Sequence, residues 1–172
     1  ETDIHDVVDS YHGFIGININ DGLVMKGPAL YGSSFPDIFT EADSDSLAYD
    51  ISKVVLNNFK EDTVAILRRN GKIIIAGSDP KKLHVKFIKD KISSNCIDIV
   101  GNKGGFCALR NDGTVVTWGD LMYGGSDSDL FDIKNVKKIK SSKYSFAALR
   151  HDGSVIAWGR SSLDHDSTNG TA

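Results

Sequence analysis

The feature that most limits what this chain can fold into is that it repeats itself. Placed above the segment forty residues later, the stretch from Gly104 to Gly119 matches it without a gap. Phe106 falls on Phe146, Ala108-Leu109-Arg110 on Ala148-Leu149-Arg150, Asp112-Gly113 on Asp152-Gly153, and Trp118-Gly119 on Trp158-Gly159. Val115 meets Val155, and upstream Ile99 meets Ile139. Two weaker copies come first. A shift of 42 lays Val64–Arg68 on Phe106–Arg110 and Asn70-Gly71 on the Asp-Gly pair. A shift of 92 sets Phe14 on Phe106, Ile17 on Leu109 and Tyr31-Gly32 on Tyr123-Gly124. In that first copy Asp21-Gly22 falls one residue late, which predicts a hairpin slipped by one residue. The 172 residues therefore form one repeat domain of four copies, approximately 4–53, 54–95, 96–135 and 136–172.

Each copy has the chemistry of strands. A short first strand (Ile97–Val100; Val136–Ile139) precedes a second over Phe106–Arg110 and a third over Thr114–Trp118. Between the second and third stands Asp-Gly or Asn-Gly, whose residues tolerate the positive φ of a tight hairpin. The second and third strands are apolar on both faces rather than alternating, as strands covered from two sides must be. One copy cannot bury both faces of its own sheet, so neighbouring copies must supply the cover. A period of forty to fifty residues with three or four strands per copy predicts an all-β fold of propeller-like blades, either a small ring or part of one.

The segments ALRNDGTVVTWGDLMYGG and ALRHDGSVIAWG resemble the repeats of the regulator of chromosome condensation family, which form β-propeller blades. The resemblance is good over 96–160, fair over 54–77 and weak over 4–32. Its particular flavour is similar to repeats of bacterial exported and surface-associated proteins, which implies a secreted or cell-surface setting. The chain departs from the family in two ways. Gly105 and Ser145 stand where the family carries a histidine, and four copies are visible where founding members close seven blades. The founding member's nucleotide exchange and chromatin contacts depend on loops that the repeat does not specify, so they do not carry over.

Composition narrows the function classes. Net charge is −3, which gives no general attraction to nucleic acid, and a polyanion would need a local basic patch. No apolar run approaches the length of a membrane-spanning helix, so membrane insertion is not expected. The chain begins at Glu1 without a charged-then-apolar leader, as expected of a processed product or an excised fragment. Cys96 and Cys107 fall on Val136 and Ala147, apolar slots in the next copy, so both are expected to be buried thiols.

No nucleophile-and-base pairing, phosphate loop, dinucleotide fingerprint or zinc-protease helix occurs, so neither a catalytic residue nor a cofactor is expected. His5, His12, His84, His151 and His165 lack metal-ligand spacing. Asp127, Asp129 and Asp132 alternate as calcium ligands can, but they lack the glycine and distal glutamate of an EF-hand loop, so no metal is expected. Lys81, Lys82, Lys86, Lys89 and Lys91, interleaved with Leu83, Val85 and Phe87, predict an extra strand with a basic edge. The candidate binding residues are the loop-associated Tyr31, Trp118, Tyr123, Asp127 and Asp129. A protein partner is the expected ligand, with a carbohydrate as the alternative because Tyr31 and Tyr123 recur while other copies carry Lys81 and Leu163 there.

Overall fold

The computed structural model describes residues 4–10, 13–18, 23–26, 50–57, 63–76, 88–125 and 133–160. Among them lie four three-stranded antiparallel sheets, each built from consecutive strands in chain order. Blade one comprises β1 (Ile4–Ser10), β2 (Gly13–Asn18) and β3 (Leu23–Lys26). Blade two comprises β4 (Ile51–Asn57), β5 (Thr63–Arg68) and β6 (Ile73–Ala76). Blade three comprises β7 (Cys96–Gly101), β8 (Gly105–Arg110) and β9 (Val115–Gly119). Blade four comprises β10 (Val136–Ser141), β11 (Ser145–Arg150) and β12 (Val155–Gly159).

The four blades repeat down to a fault in their pairing. In every one the register of the first strand slips at the same place, between Ile4 and Asp6, Ile51 and Lys53, Cys96 and Asp98, and Val136 and Lys138. Such a bulge bends the strand and adds twist. Asp50, Asn95 and Asn135 adopt positive φ just before the first strands of blades two, three and four, a conformation that Asp and Asn tolerate better than other side chains.

Two expectations change. Blade one shows no slipped hairpin: Ile17 lies opposite Leu23 just as Leu109 lies opposite Val115, because both connections have the same length. The turn around Asp21-Gly22 itself lies outside the described residues. Strand β4 starts at Ile51 and straddles the 53/54 boundary, because more residues separate the first and second strands in blade two than in blade three. The extra strand expected over Leu83, Val85 and Phe87 lies outside the described residues, and the stretch that follows, 88–92, is a run of turns with Ile88 and Ile92 buried.

The middle strands of blades two and three are buried on both sides. Along β8 the side chains alternate between two neighbours, Phe106 and Ala108 facing blade two while Cys107 and Leu109 face blade four. In blade two, Val64 and Ile66 pack towards blade one while Ala65 and Leu67 pack towards blade three. Each seam is thus a sheet-on-sheet core fed by residues two apart on one strand. Trp118 stacks on Phe106 at 5.4 Å between centroids, and Trp158 meets Phe146 at 5.8 Å.

Hydrogen bonds cross the seams as well. The hairpin turn of one blade holds the start of the next: Cys96 N donates to Gly71 O at 3.0 Å, and Val136 N donates to Gly113 O at 3.0 Å. Gly71 and Gly113 have φ near +80°, and a Cβ on Gly71 would meet Asn95 N at 2.8 Å. Glycine is needed there for conformation and for clearance. The carboxylates of Asp112 and Asp152 close the hairpin turns of blades three and four by accepting from the backbone N and hydroxyl of Thr114 and Ser154.

Both cysteines are free and buried. Burial pushes the Cys96 thiol up to about 11, partly offset by Arg110, and raises Cys107 further. Neither is a ready thiolate at neutral pH. Ellman's reagent should leave both untouched in the folded chain and titrate two thiols in denaturant; fast labelling of the native protein would contradict this packing. Phe106→Ala opens a cavity at the seam between blades two and three and should cost about 3–5 kcal/mol in urea unfolding.

Candidate functional site

Apart from the seams, polar side chains gather where the first strands of blades two, three and four end. A groove there is lined by Leu56, Asn102, Lys103, Ser141, Ser142 and Lys143. Its floor is the short connection from first to second strand, and one buried amide organises it. Asn102 Oδ1 accepts from Gly104 N at 3.0 Å and Gly105 N at 2.8 Å, and its Nδ2 donates to Tyr123 O at 2.7 Å. In blade four Ser142 holds the same place with a hydroxyl, which accepts from Tyr144 N and Ser145 N. The asparagine also reaches onward to the segment after the third strand.

That segment is a single 3₁₀ turn, Leu121–Tyr123. Asp120 caps it by accepting from Met122 N at 2.8 Å, and Gly124 ends it at φ 80°. Tyr123 folds back over Gly104, where even a methyl group would collide with the ring. Leu121 and Met122 point outward and are 61% and 57% exposed. Across the seam Gly124 O receives the Trp158 indole N–H at 3.2 Å.

The rim is basic and aromatic. Tyr123 of blade three stacks against Tyr144 of blade four with centroids 5.9 Å apart. Lys103 Nζ lies 6.0 Å from the Tyr123 centroid and 5.9 Å from that of Tyr144, and Lys143 Nζ lies 5.1 Å from Tyr144. These distances reach the range in which an ammonium is drawn to a ring face. The Lys143 ammonium, with Lys103 and Arg160 behind it, holds the Tyr144 hydroxyl below the usual tyrosine range. Cationic charge thus collects on one edge of a chain whose net charge is −3.

Of the candidate binding residues, Tyr123 belongs to this rim, with its ring mostly buried. Trp118 is fully buried against Phe106, so it has no face left for a ligand. Tyr31, Asp127 and Asp129 lie outside the described residues, as do Lys81, Lys82 and Lys86. The sequence reading missed Asn102, Lys103, Lys143 and Tyr144. A signal existed: Lys103 and Lys143 stand forty residues apart at the same repeat position, just before the Gly-Gly and Tyr-Ser pairs. Among the described residues no cluster of His, Cys, Asp or Glu could hold a metal ion, and no helix is long and apolar enough to cross a membrane.

No known family profile matches the sequence, and no curated protein does. Solved structures do match. The CRINKLY WD40 ectodomain of the Arabidopsis thaliana receptor kinase ACR4 superposes with a TM-score of 0.59 at 12% identity, covering 92% of this chain and 51% of that one. Yeast RCC1 (Prp20), in its complex with Kap60, gives 0.59 at 14% identity, with coverages of 91% and 43%. These matches show the fold of β-propeller blades. Human WBSCR16 agrees, at 0.56 and 13% identity over 92% of this chain and 48% of that one. The chain spans about half the length of the structures it matches.

Two measurements test the rim. Asn102→Ala leaves two buried N–H groups and one carbonyl without their partner and should cost about 1–3 kcal/mol. Asn102→Asp, which keeps the acceptor but loses the donor, should recover only part of this. Spectroscopic titration should place Tyr144 ionisation below that of an ordinary tyrosine, and Lys143→Gln should move it back upward; an unshifted Tyr144 would contradict the geometry.

Proposed function

We propose that this chain is a non-enzymatic, protein-binding repeat module whose contact surface is the basic, tyrosine-bearing groove edge, and that it takes an acidic protein segment. The observation that carries this is the convergence of Lys103, Lys143, Tyr123 and Tyr144 from two blades on one rim. Ammonium groups set on ring faces attract carboxylates, while Leu121 and Met122 on the turn of Tyr123 add apolar area that a peptide can cover. Structural relatives support a binding role: one yeast RCC1 (Prp20) structure is a complex with Kap60, and another is described with binding to Gsp1p and histones. We place the chain in a secreted or cell-surface setting, supported by the bacterial exported flavour of its repeats and by receptor-kinase ectodomains among the matching structures.

Fluorescence anisotropy with a labelled Asp/Glu-rich peptide tests the reading. Binding should weaken steeply with added salt, and the Lys103→Glu/Lys143→Glu double variant should lose about tenfold or more in affinity. A chain that ignores acidic peptides but gives a clean hit on a glycan array is a carbohydrate-binding propeller, and the proposal then fails. Tighter binding to a nucleic acid of matched charge overturns it in the same way.

A further inference from the structure

The outer faces of the first and last blades carry a second message, independent of the groove. Asp6, Lys53, Asp98 and Lys138 occupy one repeat position, each just past the bulge and opposite Ile17, Leu67, Leu109 and Leu149. Their charges alternate along the array. Between blades two and three the lysine of the earlier blade donates to the aspartate of the later one, Lys53 Nζ to Asp98 Oδ1 at 2.7 Å. The opposite polarity does not pair: among the described residues Asp98 and Lys138 make no ion pair with one another. Among the described residues Lys138 has no aspartate placed as Asp98 is against Lys53, and Asp6 has no lysine placed as Lys53 is. Both are exposed. Asp6 is nonetheless posed as Asp98 is, its Oδ1 accepting from Val7 N at 2.8 Å where Asp98 Oδ1 accepts from Ile99 N at 2.8 Å.

The apolar positions follow the same logic. Val54, Ile99 and Ile139 are 5%, 0% and 1% exposed because each is covered by the preceding blade, whereas the equivalent Val7 is 57% exposed. On the forward side Ile73 is 4% exposed, whereas its equivalent Val155 is 59% exposed. Ala147 and Leu149 are half-buried where Cys107 and Leu109 are buried. The hairpin turn repeats the pattern. Gly71 and Gly113 each hold the first strand of the next blade, while nothing lies within 4 Å of a Cβ placed on Gly153.

We propose that the forward face of blade four seats the rear face of blade one from a second copy of this chain. The docked seam reproduces the one between blades two and three: Lys138 pairs with Asp6, Val155 and Leu149 cover the Val7 face, and the turn at Gly153 meets the start of β1. The contact is heterologous, and made twice it closes two chains into one ring of blades. The occupant is a second copy because the two faces match each other in charge, apolar positions and open turn. Binding at the groove takes no part in this.

Sedimentation equilibrium and light scattering on the 172-residue chain test it. The expected species has twice the mass of one chain. Lys138→Glu and Asp6→Lys, each facing a like charge across the seam, should weaken association about tenfold or more. Asp6→Lys with Lys138→Asp should restore it. Val155→Asp should abolish it while the thermal midpoint of the separated chain stays unchanged, since that side chain is exposed. A wild-type chain that stays monomeric at about 100 µM overturns the proposal. So does association that neither single charge reversal weakens.

Discussion

The structure depends on mutual cover between neighbouring blades. A three-stranded sheet with apolar residues on both faces cannot be stable in water by itself, because whichever face stays wet forfeits the free energy of burying it. Here the middle strand divides its side chains by parity, Phe106 and Ala108 backward, Cys107 and Leu109 forward. Blades two and three are each half of two cores. The bulge common to all four first strands and the turn-to-strand hydrogen bonds at Gly71 and Gly113 are the geometric devices that hold adjacent sheets in the one orientation where those halves meet.

That arrangement explains where chemistry can occur. Seam residues are committed to packing, Trp118 included, and their equivalents recur from blade to blade. Freedom remains in the short connections between strands, where Asn102 and Ser142 perform the same backbone task with different groups. The asparagine has a donor to spare for Tyr123, and that extra bond draws the 3₁₀ turn to the groove. A single substitution at an equivalent position therefore changes what the rim presents without disturbing the blade beneath it.

Much of this was legible beforehand. The Phe106/Phe146 and Trp118/Trp158 matches located the strands, the Asp-Gly pairs located the hairpins, and the two-sided apolar pattern called for stacked blades. Both cysteines lie in the apolar slots that the repeat assigned to them. The groove was not legible, because it is assembled from loops whose proximity depends on the angle between blades, and no periodicity encodes that angle. Trp118 was weighed as a surface platform because a tryptophan near a strand end can point either way; the ring of Phe106 beside it decides the matter. The position of β4 escaped a fixed 42-residue shift because an insertion moves the two sides of a loop independently.

The bonds from the turns at Gly71 and Gly113 to the strand that follows couple the opening of one blade to that of the next. Cys96 N and Val136 N can find Gly71 O and Gly113 O only after those turns have closed. Opening of either turn therefore frees the start of the blade that follows, so neighbouring units loosen together rather than one at a time.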